Sequence, residues 1–245
     1  SLEIFVPETE DFHYTADDVI EYFSKHKPET LLIINPDNPS GNYIPYKDVL
    51  RLASWCRNEG IRLVVDESFV DFSTEFPKNT LLCNDVLEQF PDMIVVKSIS
   101  KSYGVPGLRL GIMASADKEL ISFVKKDVSI WNLNSFAEFF MQIYTKHEGE
   151  YRKAALKFQK EREVFKEELM SVPFLRVFDS EANYFLCEVL PPYGSYSLAV
   201  RLLNEHNILI KDCSTKKVFA GRSYIRIAIR NREDNRRLIE ALKSL

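Results

Sequence analysis

The chain has 245 residues and a mass of 28.5 kDa, long for one compact domain and short for two full ones, which suggests a large domain with a smaller companion. Apolar residues make up 45% and charged residues 28%, a globular composition that excludes a disordered chain. With 32 Lys and Arg against 36 Asp and Glu, the net charge is −4, the wrong sign for a protein that grips nucleic-acid phosphates.

Short β-branched runs alternate with helical patterns through the first half, the rhythm of βαβ units and a mostly parallel sheet flanked by helices. Residues 2–6 read as a strand. Thr15 is placed to cap a helix running to about residue 25, with Asp17 and Asp18 at the positive end of its dipole. Residues 30–34 form the next strand. Pro45 suits a helix start, and Val49, Leu50, Leu52, Ala53 and Cys56 supply its apolar stripe until Gly60 stops it. Strands follow at 61–65, ending on Asp66, at 93–96 and at 108–114, with a short helix at 86–90. From 135 to 172 the pattern is helical, with a break expected at Gly149. Strands return at 175–178, 184–189 and 224–229, separated by a helix at 197–206, and 234–245 closes as a helix. The expected division is a large domain over 1–134, connecting helices over 135–172 and a small α+β domain over 173–245.

No run approaches the ~20 apolar residues a membrane span needs, and residues 1–7 lack the basic-then-apolar order of an export signal. The four cysteines, Cys56, Cys83, Cys187 and Cys213, include no C-x-x-C pair, so free thiols in a reducing cytoplasm are expected. The four histidines lie far apart, and no metal site is expected.

Three stretches carry chemistry. Asn35-Pro36-Asp37-Asn38-Pro39-Ser40-Gly41 follows a strand, at the carboxyl edge where open α/β sheets bind ligands, and two prolines flanking Asn38 stiffen the loop. Pro, Asn and Gly would also serve a plain turn. Asp66 ends a strand that reads as buried, where a carboxylate needs a cationic or strong hydrogen-bonding partner; a protonated ring nitrogen of a cofactor is one candidate, and a loop cap is the alternative. The third stretch runs from Ser98 to Gly111. Lys101, emerging from a sheet edge, can form an imine with an aldehyde if a desolvated, positively flanked setting makes it nucleophilic. Ser98, Ser100 and Arg109 are the residue types that hold a phosphate dianion. Gly104, Gly107 and Gly111 match neither the dinucleotide fingerprint nor a P-loop.

Together these stretches resemble the fold-type I, class I/II aminotransferases, which depend on pyridoxal 5'-phosphate, and specifically their histidinol-phosphate aminotransferase and threonine-phosphate decarboxylase branch. The resemblance implies the family's α/β fold with a smaller C-terminal α+β domain. It makes Asn38 the partner of the cofactor's phenolic oxygen, Asp66 that of its pyridinium nitrogen, and Lys101 both the Schiff-base residue and the general base. Ser98, Ser100 and Arg109 would hold the cofactor phosphate. Arg226, in Tyr224-Ile225-Arg226-Ile227-Ala228-Ile229, becomes the clamp for a substrate carboxylate, with Asn183 as a further substrate contact and Arg230 as a second anionic anchor on the same strand face. For Arg230 the competing expectation is an exposed arginine paired with a nearby acid. Trp131-Asn132-Leu133-Asn134 and Arg226-Ile227-Ala228-Ile229-Arg230 look closer to the decarboxylase than to the transaminase.

The implied activity is amino transfer from an amino acid, possibly a phosphorylated one, to a 2-oxo acid in a cytoplasmic homodimer. The alternatives are a decarboxylase of the threonine-phosphate type or a non-catalytic sensor that binds the cofactor. Two departures stand out. Phe69 replaces the tyrosine expected three residues after Asp66, removing one donor to the phenolic oxygen, so the imine proton should be held more tightly. The chain also begins in the middle of the family's large domain, which leaves about the first third of a usual member absent.

Overall fold

A computed structural model of the chain describes residues 11–216, 219 and 221–245; the strand expected at 2–6 lies outside them. Two compact units emerge, one taking in the chain up to Asp37 together with Tyr43–Ala155, the other Asn38–Asn42 together with Leu156–Leu245.

The first unit opens with α1 (Ala16–Lys25), whose N-terminus is closed by a capping box between Thr15 and Asp18. Strand β1 (Thr30–Ile34) leads to α2 (Tyr46–Asn58), then β2 (Arg62–Asp66), α3 (Asn84–Gln89) and β3 (Ile94–Ser98). Gly60, at φ +70, supplies the left-handed residue just past α2. The strands pair in the order β1-β2-β3 in parallel, and β4 (Gly111–Ala114) closes the sheet antiparallel to β3. Period-2 alternation sends Leu31, Ile33, Leu63, Val65 and Val95 into a core with Val19 and Phe23 of α1 and Val49, Leu52, Ala53 and Cys56 of α2. The opposite face carries Leu32, 60% exposed, and, further along β2, the half-buried Asp66. Asp66 and Ser98, the last residues of the parallel strands β2 and β3, are both half-buried.

Three differences from the sequence expectation have physical causes. β4 begins at Gly111, not 108, because Pro106–Leu108 forms a 3-10 turn and Arg109 adopts a left-handed backbone at φ 55. Helix α4 (Ile99–Ser102) and α5 (Lys118–Asp127) were not anticipated; α5 starts at Asp117, whose side chain accepts from the Leu120 amide. Helix α6 runs unbroken from Ser135 to Met170 through Gly149. The glycine is spanned by an Arg152–Glu148 pair at 2.7 Å and a His147–Glu150 contact at 3.0 Å; such pairs return a few tenths of a kcal/mol each against the roughly 1 kcal/mol a helical glycine costs.

In the second unit, β5 (Leu175–Val177), β6 (Tyr184–Val189), α7 (Ser195–His206), β7 (Lys211–Asp212), β8 (Tyr224–Ala228) and α8 (Arg232–Ser244) form an α+β arrangement with an antiparallel sheet in the order β5-β6-β8-β7. Its core joins Phe165 and Leu169 of α6, Phe185 and Cys187 of β6, Leu198 and Leu202 of α7, Ile225 and Ile227 of β8, and Leu238 and Leu242 of α8. Among the described residues no helix is long and apolar enough to cross a membrane.

Candidate active site

The ends of β1, β2 and β3 are tied together by hydrogen bonds that leave side chains standing at the sheet's carboxyl edge. The Asn35 amide donates to the Asp66 carbonyl (2.9 Å) and the Glu67 amide to the Val96 carbonyl (2.8 Å). The Ser98 amide donates to Ser68 Oγ (3.0 Å), while the Ser68 amide donates to Asp66 Oδ1 (2.8 Å). Asp66 is thus held at its strand end by one carboxylate oxygen. Next to it the buried Glu67 accepts from the Leu81 amide (2.6 Å) and the Thr80 hydroxyl (2.8 Å), and burial raises its carboxyl above the usual range.

Lys101 lies on the single turn of α4 directly after β3. Its Nζ stands 3.9 Å from the centre of the Phe69 ring. Phe69 is buried, 5% exposed, and offers its face to the amine. The expected desolvated lysine is not what the fold provides: Lys101 is exposed. An exposed amine reaches an aldehyde without prior opening of the structure.

Behind this amine lies a polar set that the sequence did not announce. Lys97 Nζ meets Asp71 Oδ1 at 2.6 Å, with 7% and 6% of their side chains exposed. Tyr151 of α6 donates to Asp71 Oδ2 at 2.8 Å, and Tyr103 stacks on Tyr151 with ring centres 4.4 Å apart and planes 7° apart. Burial pushes both tyrosine hydroxyls up, so they remain protonated donors. The partners are 26 and 80 positions apart, beyond any local pattern in the sequence.

The candidate phosphate ligands divide. Ser98, at the end of β3, is half-buried, and Arg109 is exposed. Ser100 is buried, and its hydroxyl is bonded on both sides to Leu110, donating to the carbonyl at 3.3 Å and accepting from the amide at 3.1 Å. It fixes the strand entry next to Arg109.

In the second unit, Arg226 lies on β8, opposite Leu186 of β6 and Lys211 of β7. Its Nη1 donates to Asn38 Oδ1 at 2.7 Å, and its guanidinium stands 4.9 Å from the centre of the Tyr184 ring. Two candidates separated by 188 positions are therefore in direct contact. Asn183 offers its carbonyl to the Ile229 amide at 2.9 Å. Arg230 lies beyond the end of β8 at Ala228, and its Nε pairs with Asp234 at 2.7 Å with 69% of its side chain exposed.

A strand-end carboxylate, an accessible primary amine, a hydroxyl and an exposed guanidinium are the groups that a phosphorylated pyridine aldehyde requires, so the residues present fit such a cofactor. Residues 3–242 match the pattern of aminotransferases of class I and II. The chain belongs to that family. Class I and II aminotransferases depend on pyridoxal 5'-phosphate. The chain is 31% identical over 241 residues to the L-serine phosphate decarboxylase of Sulfurospirillum multivorans, covering 97% of the chain and 61% of the relative. It is 30% identical over 245 residues to the histidinol-phosphate aminotransferase of Thermoanaerobacter pseudethanolicus, covering 100% and 65%. The solved structure of a decarboxylase from Sulfurospirillum multivorans superposes with a TM-score of 0.86 at 29% identity, over 98% of this chain and 68% of that one. The chain thus spans less than two thirds of the length of these curated relatives.

Proposed function

We propose that the chain provides the lysine-bearing part of a pyridoxal-phosphate-dependent aminotransferase that moves an amino group from an amino acid, with a phosphorylated one as first choice, to a 2-oxo acid. The observation that carries this is the placement of Lys101: an exposed amine on the turn following β3, in the same unit as Asp66, whose strand end is tied to β3. Both named relatives act on phosphorylated amines.

When bound, the cofactor supplies an aldehyde and an electron-accepting ring. Lys101 Nζ would hold the cofactor through its aldehyde and would serve as the base for the proton at the substrate's Cα. Asp66 would keep the proton on the ring nitrogen. Asn38 would contact the phenolic oxygen, and Ser98 and Arg109 would bind the phosphate, with Ser100 fixing the segment that carries Arg109. Arg226 takes the substrate carboxylate, and Asn183 and Arg230 complete the substrate side; Arg230 must leave Asp234 to do so. The same reading takes the whole protein as a cytoplasmic homodimer.

Decarboxylation is the second reading, favoured by the superposition on a decarboxylase with a TM-score of 0.86. Both readings share Lys101 and differ in which bond at Cα breaks. The test adds pyridoxal phosphate to the purified chain and records absorbance before and after borohydride, with Lys101→Ala alongside. A band near ~420 nm that borohydride fixes onto Lys101 is expected; its absence from the wild type, or its persistence in Lys101→Ala, removes the assignment. Keto acid against carbon dioxide from phosphorylated amino acids then separates transfer from decarboxylation.

A further inference from the structure

The short segment Asn38–Asn42 is flanked on both sides by residues of the first unit, yet it packs as part of the second. We propose that Gly41, Ser180 and Glu181 are positioning residues that aim the Arg226 guanidinium, acting through Asn38. The inference rests on the reading that Arg226 receives a substrate carboxylate.

The clamp is built from the residues upward. The Gly41 carbonyl accepts from the Glu181 amide at 2.9 Å. Gly41 adopts φ +80, and a Cβ there would lie 2.1 Å from Ser180 Oγ and 2.6 Å from Ser180 Cβ, so only glycine allows so close an approach. Ser180 Oγ accepts from the Ala182 amide at 3.1 Å, which fixes the 180–182 turn. The Glu181 carboxylate is held in turn by Arg162 Nη2 at 2.9 Å, and Arg162 is wholly buried on α6. The loop is therefore fastened to a rigid helix through a charge-assisted bond and to a turn by direct contact.

At the other end of the same segment, Asn38 Oδ1 takes one N–H of Arg226. A guanidinium binds a carboxylate best through two parallel N–H groups in one plane. Its long stem rotates freely unless a fixed acceptor selects that plane. Asn38 is such an acceptor only while the 38–42 segment stays seated, and the Tyr184 ring at 4.9 Å supports the guanidinium from one face. The donors that Asn38 does not use are left for a ligand.

The test reads the guanidinium itself in the cofactor-free chain labelled with 15N-arginine. In the wild type the Arg226 Nη resonances are expected to be resolved, because the bond to Asn38 slows rotation. Gly41→Ala should merge them, as should Asn38→Ala. Ser180→Gly removes the surface on which Gly41 rests without crowding anything and should do the same in a chain that folds normally. The Arg162 resonances serve as the control for an intact fold. Unchanged Arg226 signals in Ser180→Gly, with Arg162 signals intact, overturn the proposal.

Succinate is then titrated as the carboxylate probe. It should perturb Arg226 in the wild type and bind about tenfold more weakly to Ser180→Gly, the loss of roughly one charge-assisted hydrogen bond's worth of orientation. Equal affinity in the two chains also counts against the proposal. If succinate leaves Arg226 of the wild type untouched, the carboxylate assignment falls while the spectra of the variants still judge the clamp.

Discussion

At the scale of single residues, chemistry here follows exposure. Lys101 is the accessible amine, and its Nζ lies 3.9 Å from the centre of the Phe69 ring, a cation–π contact. In the proposed site a tyrosine at 69 would add a donor to the phenolic oxygen, whereas Phe69 brings only its ring against the lysine. The cysteines obey the same rule. Burial pushes the Cys56 thiol up to about 12 and raises those of Cys187 and Cys213, whereas Cys83 is exposed. Since the thiolate is the reactive form, a maleimide at neutral pH should label Cys83 rapidly and leave the other three untouched until urea is added. Peptide mass spectrometry reads the site, and fast native labelling of any second cysteine contradicts the burial seen here.

At the scale of elements, the site's rigidity comes from ties between segments distant in the chain. Asp71, in the 3-10 turn Val70–Phe72, receives Lys97 from β3 and Tyr151 from α6, so one carboxylate joins three elements around the lysine turn. Removing one partner of a buried ion pair leaves an uncompensated charge, and Asp71→Ala should lower unfolding stability by about 3–5 kcal/mol. Tyr151→Phe, which removes only a hydroxyl, should cost about 1 kcal/mol. The double variant Lys97→Met with Asp71→Leu should recover most of the loss. Urea unfolding of the four chains decides the matter; a double variant no more stable than Asp71→Ala refutes the charge-pair account.

At the scale of the whole molecule, exposed apolar residues concentrate in one stretch. Ile130 is 91% exposed, Trp131 90% and Phe136 79%, with Leu133, Phe139 and Met141 also exposed. Soluble proteins rarely leave so many large apolar side chains in water unless they meet another surface. The chain should therefore bind an apolar dye and self-associate as its concentration rises. Substituting Ile130→Lys and Trp131→Lys together should reduce both, with an unfolding midpoint within about 0.5 kcal/mol of wild type per site, as exposed substitutions generally allow. Dye fluorescence and sedimentation measure the effect, and unchanged values would place the association elsewhere.

The sequence by itself determined the local order. β1 and β6 follow their apolar runs residue for residue, Thr15 caps α1 as its side chain dictates, and the α/β rhythm with a smaller α+β unit is legible because periodicity and turn chemistry are encoded over a few neighbouring residues. The positions of Asp66, Lys101 and Arg226 relative to the strands were legible for the same reason: Asp66 ends one strand, Arg226 rides on another, and Lys101 follows a third on the turn of α4. What only the tertiary structure decided are the partners. That Asn38 meets Arg226, that Asp71 collects Lys97 and Tyr151, that Ser100 turns inward to Leu110 while Lys101 faces water, and that Gly41 sits against Ser180 all depend on contacts across 10 to 188 positions. Such contacts form when separate elements bury their apolar faces together, and the polar groups then pair with whatever that packing brings within reach.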